Sequence, residues 1–198
     1  MKVSNDEVVT ATRVWIEEVV IGLDLCPFAK GVLAKQQVRM RVSRARTAVA
    51  LLADLEQELR VLSQVAPEEI DTTLLIHPHV LGDFLEYNDF LDQTDDALDR
   101  LGLIGVIQVA SFHPHYQFAG SEADDITNYT NRSPYPMLHL LREASVERAV
   151  AAFPDASAIY EKNLKTMRGL SAAARAQLGI GGAVANEANP GTRKHRRR

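Results

Sequence analysis

A chain of 198 residues, 46% hydrophobic and 24% charged, has the length and make-up of one soluble domain with a real core. Its single cysteine excludes a disulfide framework and suits a reducing cytoplasm, and no apolar run approaches the roughly 20 residues that a membrane helix needs. The net charge of −4 already includes five positive charges from Arg193, Lys194, Arg196, Arg197 and Arg198, so the remainder is acidic and argues against a nucleic-acid surface on the folded body.

Ser4 or Asn5 is placed to cap a first helix that runs to Gly22, with Val8, Ala11, Trp15 and Val19 as its buried stripe. Residues 23–28 then turn the chain into a short irregular or helical piece. Cys26 sits there among apolar neighbours, with no helix N-terminus to stabilise a thiolate, and is expected to be inert, largely buried and near the strand ends. Val38, Met40 and Val42 alternate with Arg39, Arg41 and Ser43, the period of two that marks a strand near a sheet edge.

Thr47 caps a second helix whose apolar Ala48, Leu51, Leu52, Leu55, Leu59 and Leu62 share one stripe. Residues 72–76 form a second strand. Residues 81–101 form a third helix that buries Tyr87, Phe90, Leu91, Thr94, Ala97, Leu98 and Leu101, and residues 106–112 a third strand. Ser133 reads as the cap of another helix, with Pro134 in its first position, Met137, Leu140, Leu141 and Ala144 on its apolar face, and His139 paired on its surface with Arg142 and Glu143. Further short helices follow. Residues 1–178 are read as one globular domain and residues 179–198 as a disordered basic tail. Strands separated by helices predict an α/β fold: a small, mainly parallel sheet of three strands or slightly more, flanked by helices. The alternative is an α+β ferredoxin-like sandwich.

His77-Pro78 and His113-Pro114 close the second and third strands. If those strands are parallel neighbours, both histidines leave the sheet at the edge where open α/β sheets hold their ligands. Neutral imidazole serves as acid, base or metal ligand, and each proline fixes an extended exit from its strand. The competing reading has the two histidines bonding only to loop backbone. His79 and His115 complete a His-x-His pair at each place, but a proline interrupts each pair and no further ligand converges, so no metal ligand is assigned.

Arg132 precedes the expected helix start, where free N–H groups attract anions and a guanidinium grips carboxylate or phosphate in two bonds. It either clamps an anion or pairs with Asp124 or Asp125 to pin a long loop. The expected site therefore has His77 and His113 as catalytic acid/base groups, and Tyr116, Gln117, Asn128, Asn131, Arg132 and Ser133 around a small anionic molecule. The leading expectation is a cytoplasmic enzyme for a small anionic metabolite. The alternatives are a non-catalytic small-ligand or partner-binding protein and a His-based metalloprotein. The sequence names no reaction class, cofactor or oligomeric state.

Leu25-Cys-Pro-Phe-Ala-Lys, His77-Pro with Asp83-Phe and Tyr87-Asn-Asp-Phe-Leu, Val109-Ala-Ser-Phe-His-Pro, Tyr116-Gln-Phe-Ala-Gly and Asn128-Tyr-Thr-Asn-Arg-Ser-Pro-Tyr-Pro together resemble the domain of unknown function 1415 family, over about residues 14–170. The resemblance implies a soluble, mostly bacterial protein and carries no activity with it. In the family pattern the residue after each His-Pro varies, which leaves His77 and His113, rather than His79 and His115, as the site candidates.

Overall fold

The computed structural model describes residues 3–151 and 158–181. Ser4 caps α1 (Asn5–Trp15): its side chain accepts from the Glu7 N–H, and the Glu7 carboxylate accepts from the Ser4 N–H in return. After Trp15 the helix widens into a π-helical segment, Ile16–Ile21. Val8, Thr12, Ile16 and Val19 are the buried residues of the two segments, while Ala11 and Trp15, expected in the stripe, are half-buried, Trp15 packing against two core clusters. Gly22 ends the segment. A Cβ at that position would lie 2.2 Å from the Glu18 carbonyl oxygen, so the exit admits no side chain. The short helix α2 (Ala29–Ala34) follows.

One sheet holds β1 (Val38–Val42), β2 (Thr72–Ile76), β3 (Ile107–Phe112) and β4 (Met137–Arg142) in the order β1-β2-β4-β3. Helix α3 (Ala48–Gln64) joins β1 to β2, which pair in parallel, and α4 (Phe84–Arg100) joins β2 to β3. The α/β class stands, but β2 and β3 are not neighbours. β4 lies between them, antiparallel to both, so the sheet is mixed rather than mainly parallel. α3 and α4 cover one face, where Leu51, Leu55, Leu59 and Phe90 meet Leu75, Leu138 and Leu140. α1 covers the other, where Val8 and Ile16 meet Leu74, Ile76 and Met137.

β4 replaces the helix expected after Ser133. The Ser133 hydroxyl donates to the Tyr135 carbonyl at 2.7 Å and caps nothing, and helix α5 (Glu143–Ala151) starts only where the strand stops. His139 accordingly sits within the sheet: its Nε2–H donates to Thr72 Oγ1 at 2.7 Å, and its ring lies 6.1 Å from that of Phe112. Being central, β4 is buried on both faces, and Met137, Leu138 and Leu140 are all fully enclosed. Helices α6 (Ala158–Gly169) and α7 (Ala172–Gln177) complete the described chain. Met167 and Ile180 pack with Val19 and Leu25 in a third cluster. Ile180, expected to lie in a disordered tail starting at residue 179, is only 5% exposed. Residues 182–198 of that expected tail lie outside the described residues.

A buried ion pair ties β1 to α3. Glu58, 1% exposed, takes Arg39 in bonds of 2.7 and 3.1 Å and has Arg41 at 3.7 Å.

Candidate functional site at the strand ends

β2 and β3 run in the same direction, so His77 and His113, each one residue past its strand, emerge at the same edge as expected. Tyr87 of α4 stands between them, its ring 5.7 Å from that of His77 and 5.1 Å from that of His113. Both histidines are 0% exposed. His77 donates its Nδ1–H to the Val80 carbonyl at 3.0 Å. His113 accepts the His115 N–H on Nδ1 at 3.0 Å and donates Nε2–H to the Leu81 carbonyl at 3.2 Å. These bonds hold the turn after β2, in which Leu81, a non-glycine residue, adopts φ 55°. Burial lowers both imidazoles from 6.5 to about 4, so they are neutral at pH 7. Among the described residues, the Nε2 of His77 is left as an enclosed lone pair without a partner.

Tyr87 is enclosed as well, and burial raises its phenol above the ordinary range. Its hydroxyl donates to the Met137 carbonyl at 2.9 Å and accepts the Phe112 N–H at 3.1 Å, bridging the ends of β3 and β4. Phe84 stacks on the outside of this cluster, 5.4 Å from His113 and 5.2 Å from Tyr116.

Most of the polar residues expected around a ligand are committed to the loop itself. Asn128 accepts from the Phe118 N–H and the Ser121 hydroxyl and donates to the Glu122 carbonyl. Asn131 donates to the Ser111 carbonyl, and exposed Gln117 to that of Ser121. The same residue types build polar loops and bind ligands, so spacing alone could not separate the two uses.

Arg132 differs. Its Nε donates to the Tyr116 carbonyl at 3.0 Å and its Nη2 to that of Ala123 at 2.6 Å, while the guanidinium lies 4.6 Å over the Tyr129 ring. It ties the loop, but to neutral carbonyls and not to Asp124 or Asp125. The Asp125 carboxylate is occupied by the Thr127 N–H and hydroxyl. Among the described residues, no carboxylate pairs with Arg132.

Arg132 lines a cavity of about 370 Å³ together with Trp15, Val19, Pro114, Pro134, Leu178 and Ile180, and among the described residues no acidic side chain contributes to its wall. Trp15, read from the sequence as core, is half-buried, packs against two core clusters and also lines this wall; among the described residues its Nε1–H is enclosed without an acceptor. A second cavity of about 230 Å³ has Val20, Cys26, Phe112, Phe118 and Asn131 on its wall. Cys26, expected to be largely buried, is half-buried and does lie beside the end of β3.

Among the described residues no group of three or more His, Cys, Asp or Glu side chains is arranged to hold a metal ion, and no helix is long and apolar enough to cross a membrane. No curated protein and no solved structure matches the chain. A family model described as "Protein of unknown function (DUF1415)" matches residues 7–177, a span that takes in the π-helical segment, both strand-end histidines and Arg132, and the chain therefore belongs to that family.

Proposed function

We propose that the protein binds a small anionic metabolite in the cavity beside Arg132. The observation that carries this reading is a guanidinium on a cavity wall that, among the described residues, has no carboxylate partner and no acceptor on its Nη1. A half-buried cation of this kind is poorly solvated, and an incoming anion supplies both its counter-charge and its missing acceptors. Two carbonyl bonds and the Tyr129 ring fix the plane of the guanidinium beforehand, so little freedom is lost on binding. Binding, rather than proton transfer, is the activity best supported, because His77 and His113 are enclosed and neither lines this cavity. Their part is to hold the strand-end turns, and His113 directly precedes Pro114 of the cavity wall.

Calorimetric titration with acetate, phosphate and sulfate tests the reading. Saturable binding of at least one anion, weakened about tenfold in Arg132→Lys, is the expected result, since lysine keeps the charge and loses the planar fork. A melting curve of the variant separates lost binding from a loosened loop. Failure of the whole anion panel to bind the wild-type chain defeats the proposal.

A further inference from the structure

We infer that the outer edge of β1 takes up an extended acidic peptide as an added strand, independently of the Arg132 cavity. β1 ends the sheet on one side, and its ladder with β2 fixes which backbone groups remain. The Gln37 carbonyl accepts from the Asp71 and Thr72 N–H groups, and the Ser43 N–H donates to the Ile76 carbonyl. Successive residues of a strand turn their N–H and C=O groups to opposite sides, so Arg39 and Arg41 also bond toward β2, and Val38 and Met40 face outward. Val38 and Met40 are half-buried, and among the described residues no partner meets their N–H and C=O groups. The opposite edge, β3, is closed at both ends by its own loops: the Ile107 N–H donates to the Leu103 carbonyl, and the Ser111 carbonyl accepts from Asn131.

Charge selects the partner. Residues 25–53 carry Lys30, Lys35, Arg39, Arg41, Arg44 and Arg46 and no Asp or Glu, in a chain whose net charge is −4. Arg39 is bonded twice to Glu58. Arg41 lies on the same face of the sheet, 48% exposed, with only a 3.7 Å contact to that carboxylate. Two guanidinium groups against one carboxylate leave one positive charge unbalanced at the edge. Arg44 and Arg46 follow the strand, both exposed, and among the described residues neither has a carboxylate partner. A charged edge repels most strands, and a second copy of β1 would set arginines against arginines. A strand bearing Asp or Glu turns the same row into an attraction. A nucleic acid would meet the charges, but it brings no peptide ladder to the N–H and C=O groups of Val38 and Met40. The side chains of the added strand alternate: carboxylates on the arginine face, and apolar groups on the face where Val38 and Met40 pack toward α1.

The full chain is titrated, by fluorescence anisotropy, into a labelled peptide of alternating Glu and Val. Saturable binding is expected, at least tenfold tighter than for a peptide with the same residues in two blocks, roughly the worth of two edge hydrogen bonds. Methylating alternate backbone nitrogens of the peptide can be done in two sets, and one of them is expected to weaken binding about tenfold, because only one set meets β1. Arg41→Glu is expected to weaken binding at least tenfold through charge reversal. Met40→Pro removes an outward N–H that the β2 ladder does not use and is expected to do the same. A melting curve shows whether that variant folds, and if it does not, the two methylated peptides decide. No binding of the alternating peptide, equal binding of the block peptide, indifference to both methylation sets, or tighter binding of an oligothymidylate overturns the inference.

Discussion

Tyr87→Phe removes one hydroxyl and leaves the ring that separates His77 from His113. The Met137 carbonyl is fully buried and loses its donor, at a cost of about 1–3 kcal/mol. The Phe112 N–H is half-buried and loses its acceptor, for roughly 1 kcal/mol more once partial access of water is allowed. No cavity opens, because the phenyl ring keeps its contacts with Phe84 and both histidines. The expected loss is therefore about 2–4 kcal/mol, a large share of the roughly 5–15 kcal/mol that holds a typical domain. In a chain of this length that corresponds to a melting temperature lower by roughly 4–16 °C. Urea denaturation is the assay: the midpoint should fall with the slope unchanged. A loss below about 1 kcal/mol would mean that water replaces the hydroxyl, and the account of the strand ends as closed by Tyr87 would be wrong.

Three other outcomes are expected. His77 and His113 have folded values of about 4 against 6.5 when free, so the unfolded chain holds more protons between these limits and stability falls as pH drops from about 6.5 toward 4. For enclosed His77 the full loss is about 3 kcal/mol, and His77→Gln should reduce the dependence of the urea midpoint on pH between 7 and 5, with His113 and His139, also lowered by burial to about 4, supplying what remains. A midpoint that does not move with pH in the wild type contradicts the burial argument. Gly22→Ala forces a methyl group into the Glu18 carbonyl and should cost about 2 kcal/mol or more, read as a lower melting temperature; an unchanged melt would show that the π-helical exit relaxes freely. Arg39→Ala leaves Glu58 buried with only the more distant Arg41, for a loss of about 2 kcal/mol after allowing for the partial exposure of Arg39; adding Glu58→Gln should recover part of it, and no recovery would place the loss outside the ion pair.

β1, β2, β3, α3 and α4 were legible from their patterns: α3 and α4 each bury one stripe, β1 alternates, and β2 and β3 are short runs containing β-branched residues between turn signals. β4 was not legible because its apolar residues fit a helix as well as a strand. Met137, Leu140 and Leu141 match helical spacing, and a strand covered on both faces has no polar residues at alternate positions to contradict them. Ser133-Pro134 then supplied a false start signal, since both residue types serve turns as readily as helix starts. The common edge of His77 and His113 came through, because direction along a strand can be read without knowing its neighbours. Arg132 was singled out by its place in the loop, but its partners are backbone carbonyls, which no side-chain pattern records.

The central strand of this sheet is also the last to leave the ribosome. Until residue 142 has emerged, β2 presents one unpaired edge whose five residues are all buried in the finished protein, and β3 has no partner at all. The β1–α3–β2 half and the α4–β3 half therefore wait for a single hexapeptide to arrive between them. Exposed edges of this kind recruit other chains, so the interval is the nascent protein's period of greatest exposure to aggregation. The same hexapeptide brings the Met137 carbonyl to the Tyr87 hydroxyl, so sheet, core and histidine cluster close in one event. β4 acts as a latch: a break in it yields two incomplete units with sticky edges, not one weakened domain.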